Sequence, residues 1–152
     1  MAVAKTYKPY RATHGANVIT GLVAIEDGVS ANAVSQRADG AITTTRVYTE
    51  GHKGVVTVRC ETNEAVELLK VGDSAALVGL YYEQLQGAAA STLATARTKQ
   101  WPAAAAVSAG GSAVITAITD TAPHNGQPTV NVTFEVATPT GVIADLVSIT
   151  DA

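Results

Sequence analysis

Strict alternation of apolar and polar residues marks several segments of the chain as strands. Over Thr129–Val136 every second residue is Val or Phe and the residues between them are polar, which predicts a strand with one dry face. Gly54–Cys60 shows the same period. Ala113–Thr119 is rich in Val and Ile, and the Asn125-Gly126 pair after it tolerates the positive φ of a tight turn. We therefore predict that Ala113–Thr119 and Thr129–Val136 form an antiparallel hairpin.

Runs of β-branched and aromatic residues predict four further strands. These are Asn17–Ile25, Ala41–Thr49, Leu77–Leu85 and Gly141–Thr150. The remaining stretch Gly87–Gly111 is rich in Ala, Ser and Thr. It has no clean apolar stripe, so we predict a long loop there.

One short helix is predicted after Gly54–Cys60. Thr62 or Asn63 can cap it, Leu68 and Leu69 supply its apolar side, and Gly72 suits the left-handed position that ends a helix. A helix this short has only marginal stability by itself in water, and we therefore expect it to pack on a sheet. The order of strands, helix and strands predicts a mostly β protein: an antiparallel β-sandwich or barrel-like single domain over 1–152, with one short α-helix.

Composition and charge favour a subunit of an assembly. Only 15% of the residues are charged, against about 25% in ordinary soluble domains, so we expect other subunits to cover much of the surface. A single cysteine excludes an internal disulfide. No apolar stretch approaches the roughly 20 residues that span a bilayer, and the N-terminus lacks a signal-peptide core. We expect a soluble protein in a reducing cytoplasm, with no membrane partner.

The groups able to do chemistry are few and scattered. We interpret His14, His52 and His124 as solvated loop or strand-end residues, and Cys60 as a small buried hydrophobe. The pair Glu26-Asp27 is interpreted as a polar turn with the following glycine. Hydrolase, phosphate-loop, dinucleotide and zinc motifs are missing from the sequence. We therefore expect no enzyme, no catalytic or metal site, no cofactor and no small-molecule ligand.

The N-terminus carries a basic cluster interleaved with tyrosines. Its basic members are Lys5, Lys8 and Arg11. Such an arm can stack on nucleic-acid bases, but basic residues elsewhere are scattered and acidic ones outnumber them, 13 to 10. Docking on another subunit is the favoured alternative, against an acidic surface containing Glu135, Asp145 or Asp151.

The block Val55–Val136 resembles the major tail tube proteins of long-tailed bacteriophages, a family related to the tubes of contractile injection systems. The resemblance rests on the VVTVRC strand, the ETNEAVELLKVGD helix, the AVITAITD strand and the TVNVTFEVA strand behind an Asn-Gly turn. It implies a structural virion protein, made in the bacterial host cytoplasm. Its copies would join sheet edges into stacked, hexameric rings around a lumen through which DNA passes without specific binding.

The resemblance also assigns roles to segments. Met1–Thr13 is expected to be an N-terminal arm, Asp27–Gly54 a stacking loop or hairpin that orders on assembly, and Pro139–Ala152 a C-terminal interface. Expected partners are further copies and other virion proteins. The alternative interpretation is a phage capsid decoration protein. The candidate interface residues are Lys5, Lys8, Arg11, Asp27, Arg46, Lys53, Val114, Thr116, Ile118 and Asp145.

Overall fold

Two five-stranded antiparallel sheets face each other across one hydrophobic core. The computed structural model describes residues 6–62, 64–84 and 94–152. Its strands are β1 (Thr6–His14), β2 (Asn17–Ile19), β3 (Leu22–Gln36), β4 (Arg46–Glu61), β5 (Ser74–Ala75), β6 (Leu77–Gln84), β7 (Arg97–Trp101), β8 (Ser112–Thr121), β9 (Thr129–Ala137) and β10 (Ser148–Asp151). Sheet A has the order β10-β7-β6-β1-β2, and sheet B the order β3-β4-β9-β8-β5. The predicted β-sandwich is confirmed.

The alternating segments supply the core. Phe134, Val132 and Val58 are fully buried on the inner face of sheet B, and Leu77 and Trp101 are buried on sheet A. Each buried side chain of this size stabilises the fold by about 1.5–3 kcal/mol. The predicted β8–β9 hairpin is confirmed, with register from Ser112↔Ala137 to Thr121↔Thr129.

The predicted strand Asn17–Ile25 is divided between the two sheets. β2 belongs to sheet A and β3 to sheet B, and Gly21 between them has a φ of 67°. Only glycine adopts such a conformation readily, so this residue lets the chain cross between the layers.

The long-loop prediction for Gly87–Gly111 is wrong in its described part, 94–111. That part contains β7 and a helix, α2 (Ala104–Ser108). The sequence of β7 shows no alternation of apolar and polar residues, because the charged Arg97 and Lys99 share a face with the buried Trp101. Their aliphatic stems reach along the inner surface while their charged ends pair at its rim.

Three other boundaries also differ from expectation. The predicted strand Ala41–Thr49 is a loop until β4 begins at Arg46, and the polar residues before it are strand only as far as Gln36, where β3 ends. Gly141–Thr150 contains a 3-10 helix, Ile143–Leu146, before β10. The predicted helix is present as α1 (Glu64–Glu67). Its Leu69 is buried as expected, but Leu68 is 66% exposed, because Val66 and Leu69, three residues apart, share the side that faces the sheet and Leu68 lies on the other side.

The N-terminal segment is a strand of the sandwich and not a free arm. β1 pairs with β2 from Ala12↔Ile19 and with β6 from Thr6↔Gln84 to His14↔Leu77. The basic residues Lys8 and Arg11 are exposed, but Ala12 and His14, which follow them, are buried, so the end of the strand has an inner and an outer face that the charge cluster does not indicate. Residues 1–5 of the expected arm lie outside the described part of the chain.

Candidate assembly surfaces

Strand β3 is a long open edge of sheet B. It has 15 residues and, among the described strands, pairs on one side only, with β4. Its register is uninterrupted from Ala24↔Arg59 to Ser30↔Lys53, and its sequence contains neither Pro nor Lys. Those residues commonly protect edge strands from pairing with another chain. The N–H and C=O groups along this edge are therefore available for an added strand.

Beyond sheet B, β3 and β4 continue as a two-stranded projection. β9 pairs with β4 only from Gly54↔Val136 to Glu61↔Thr129. Residues 30–53, which we call the ribbon, therefore have no third strand within the described part of the chain. A bulge opposite Ala31 separates the ribbon from its base, and Gly51 in this bulge has a φ of 64°. The segment Asp27–Gly54, expected to be a stacking loop or hairpin, thus contains a two-stranded projection, and its role in stacking stays a prediction.

The ribbon exposes apolar side chains. Val34 lies opposite Tyr48 in the register, and these side chains are 47% and 51% exposed. Val47 is 60% exposed on the opposite face. A lone two-stranded hairpin is marginally stable in water. Apolar residues on both faces of such a hairpin form a surface of the kind that is common at protein–protein contacts.

The opposite edge of sheet B is also open over part of its length. β5 pairs with β8 only at Ala113 and Val114, and Ile115 completes its backbone hydrogen bonds with Gly72 and Asp73. From Thr116 to Thr121 no described strand covers this side of β8. Sheet B therefore has two open edges on opposite sides.

An ion pair joins the two sheets at the ribbon end of the core. The Lys99 ammonium lies 3.6 Å from Asp27 Oδ1 and 5.4 Å from the centre of the Tyr81 ring. Tyr81 is 7% exposed. Burial, with the nearby Asp27 carboxylate adding to it, raises the pKa of this tyrosine to about 12. Asp27 is thus a strand residue between the layers, and its interpretation as part of a turn is wrong.

A second charged contact ties the terminal strands together. Arg97 donates two hydrogen bonds to Asp151, at 2.7 and 3.1 Å, and its guanidinium lies 4.0 Å from the Tyr7 ring centre. The hydrogen bond to Asp151 is the main cause that raises the pKa of Arg97. Asp151 is therefore engaged within its own chain, as is Glu135, which pairs with Lys53 at 3.6 Å. Two of the three acidic residues expected to receive a neighbour's arm already have basic partners.

The remaining predicted interface residues are dispersed. Lys5 lies outside the described residues, and Lys8 and Arg11 are exposed on β1. Arg46 donates to the Tyr48 hydroxyl at 3.3 Å on the ribbon. Asp145 accepts a hydrogen bond from Thr140 at 2.6 Å in the C-terminal segment. The structure gathers Arg46 and Lys53 on the ribbon, and Thr116 and Ile118 on the open part of β8.

The histidines and the cysteine divide between surface and core. His52 and His124 are exposed as expected. His14 is 2% exposed, so its interpretation as solvated is wrong; strand β1 turns it inward against Phe134, with ring centres 5.0 Å apart. Cys60 is buried, and burial raises the pKa of its thiol. Within the described ranges, no three His, Cys, Asp or Glu side chains are grouped to hold a metal ion.

Comparisons with known proteins add no relative: no protein-family model and no curated protein matches this chain. Among the residues that the structure describes, no helix has the length and apolar character needed to cross a membrane. Function is therefore inferred from the surfaces of this chain. What they offer is backbone pairing at two edges of one sheet and a projecting apolar ribbon.

Proposed function

We propose that this protein is a self-assembling structural subunit of a phage tail tube, whose copies join through the two open edges of sheet B. The observation that carries the proposal is the pair of open edges, on β3 and on β8 after Thr116. Each edge supplies the unpaired backbone groups that the other needs. The tube itself rests on the resemblance to tail tube proteins.

The strand directions suit such a junction. Each neighbouring pair in the order β3-β4-β9-β8 is antiparallel, so β8 runs opposite to β3. When copies are related by rotation about an axis along the strands, β8 of one copy meets β3 of the next as an antiparallel pair. A head-to-tail interface of this kind closes into a ring if the rotation permits.

The ribbon direction suits the stacking of such rings. Because the ribbon continues β3 and β4 past the end of β9, it projects along the strands and hence along the ring axis. Seven strand residues extend over about 23 Å, enough to reach a neighbouring ring. The formal net charge of -3 per chain would give the assembly a negative field that disfavours adhesion of DNA to its wall.

Paired edge variants test the side-by-side junction. Val29→Lys places a charge on β3 at a position that is 53% exposed, and Thr119→Lys places one at an exposed position on the open part of β8. Each variant alone should stay monomeric in sedimentation velocity over a concentration series, because an edge lysine blocks strand addition. A mixture of the two should give dimers and nothing larger, since each variant retains one working edge.

The matched control is Val18→Lys, a valine that is 40% exposed on β2 at the edge of sheet A. It should assemble like the wild type. Electron microscopy of the wild type should show rings or tubes. A wild type that stays monomeric at all concentrations but binds preformed capsid shells would refute the tube and favour the decoration protein.

A further inference from the structure

The tip of the ribbon is a built loop that presents one isoleucine. The Thr45 hydroxyl donates to the Gln36 carbonyl at 3.1 Å and accepts from the Ala38 N–H at 3.0 Å. The Ala41 N–H donates to the Ala38 carbonyl at 3.0 Å. These bonds hold the loop while leaving Ile42 93% exposed, the largest exposure among the large apolar side chains of the described residues.

A cleft lies at the opposite end of sheet B, where β4 leads into α1. Its volume is about 250 Å³. The apolar lining comes from Val66 in α1, from Leu69 just after it, and from Ile118 and Val130 on the sheet. A water occupies about 30 Å³ of liquid, so the cleft has room for an aliphatic side chain.

The two features complement each other in charge. Glu67 and Asp120 lie on the cleft lining, and Lys70 is the basic residue that follows in sequence. The ribbon tip is flanked by Arg37 and Arg46, with Asp39 as its acidic residue. The tip thus has an apolar side chain between basic residues, and the cleft has an apolar floor with acidic residues on its lining, so the two are complementary in charge.

Their positions in the chain place them head to tail. Ile42 lies beyond the Arg46 end of β4, and the cleft lies beyond its Glu61 end. A shift along the strands brings the tip of one copy to the cleft of another. Within one chain the body of sheet B separates the two features, so the tip cannot fill its own cleft.

We propose that the cleft between α1 and sheet B is the receptor for the ribbon tip of a second copy, with Ile42 seated among Val66, Leu69 and Ile118. This contact rests on the proposed tube, since it names the site by which one ring engages the next. The acidic groups at the cleft orient the arginines of the incoming tip.

Ile42→Ser removes the apolar side chain at the ribbon tip and leaves the edges of sheet B unchanged. Rings should still form by edge pairing. The association constant for the stacking of two rings should fall about tenfold to a hundredfold, which is the loss expected for one buried isoleucine. The matched control is Ile149→Ser, since Ile149 is 53% exposed on β10 and lies in neither proposed contact. Sedimentation and electron microscopy count rings and stacked rings separately.

Cross-linking tests the receptor directly. Copies carrying Ile42→Cys are mixed with copies carrying Glu67→Cys under mild oxidation, and a disulfide-linked dimer between the two is expected. Copies with Ile42→Cys mixed with a Thr98→Cys variant on sheet A should not cross-link above background. Cys60 is buried in every copy.

The outcomes separate this contact from the proposed function. Rings without stacks for Ile42→Ser, together with the cross-link to position 67, support the receptor. Normal stacks for Ile42→Ser, or rings that stack without that cross-link, refute the receptor and leave the edge-paired ring intact. A wild type that forms neither rings nor stacks refutes both.

Discussion

The Nε2 atom of His14 lies 2.8 Å from the carbonyl oxygen of Ala113, so a hydrogen bond joins β1 of sheet A to β8 of sheet B. Both residues are buried. This is a polar link through the middle of a core that otherwise consists almost entirely of aliphatic and aromatic side chains. Buried polar groups of this kind are costly to leave without a partner.

His14→Ala should therefore lower the free energy of unfolding by about 2–4 kcal/mol, because it removes the buried hydrogen bond to the Ala113 carbonyl and opens a void beside Phe134. Urea denaturation followed by circular dichroism measures the change. His124→Ala, in the exposed β8–β9 loop, is the control and should stay within about 0.5 kcal/mol of the wild type. Equal stability of the two variants would refute the role of His14.

Alkaline pH should destabilise the fold through Tyr81. Its pKa is about 12 in the folded protein and about 10 in an unfolded chain. Between those values the unfolded chain loses the phenol proton first, so stability that is complete below pH 10 falls as pH rises toward 12. The total loss is about 2–3 kcal/mol.

Comparison with Tyr81→Phe isolates this contribution from other alkaline titrations. Urea unfolding at moderately and strongly alkaline pH should show a smaller loss of stability for the phenylalanine variant. Asp27→Asn should shift the tyrosinate absorbance titration of Tyr81 to lower pH, because it removes a carboxylate that opposes ionisation. Identical pH profiles for wild type and Tyr81→Phe would contradict the assignment.

Gly111→Ala should be poorly tolerated. An added Cβ would lie 2.7 Å from the carbonyl oxygens of Ala106 and Ala137, and neither backbone atom can move without disturbing α2 or β9. We expect a loss of about 1–3 kcal/mol in unfolding free energy. Gly28→Ala is the matched control, because a Cβ there meets nothing within 4 Å; thermal melts should place it at or above the wild type.

Deletion of 1–11 should abolish cooperative unfolding. It removes most of β1, which lies between β2 and β6 in sheet A, and exposes two strand edges together with the inner face of sheet B. Deletion of 1–5 ends before the first described strand residue and should leave a cooperative thermal transition. A folded protein after the longer deletion would restore the interpretation of this segment as a docking arm.

The sequence by itself determined the class of fold and its best strands. Alternation in Gly54–Cys60 and Thr129–Val136 predicts β4 and β9 in the sheet, because a strand with one buried face must repeat every two residues. It also predicted the β8–β9 hairpin through its Asn-Gly turn and the burial of Cys60. These features depend on local pattern alone.

Only the tertiary structure decided where charged or exposed strands lie. β7 and the outer half of β3 have no apolar period, since Lys99 reaches Asp27 across the core and the ribbon is exposed on both faces. His14 lies in the core because β8 offers it a carbonyl oxygen from the other sheet. Which strands form the open edges likewise depends on which strands become neighbours. Hydrogen bonding between two segments that are distant in sequence leaves no periodic signal in the sequence of either segment.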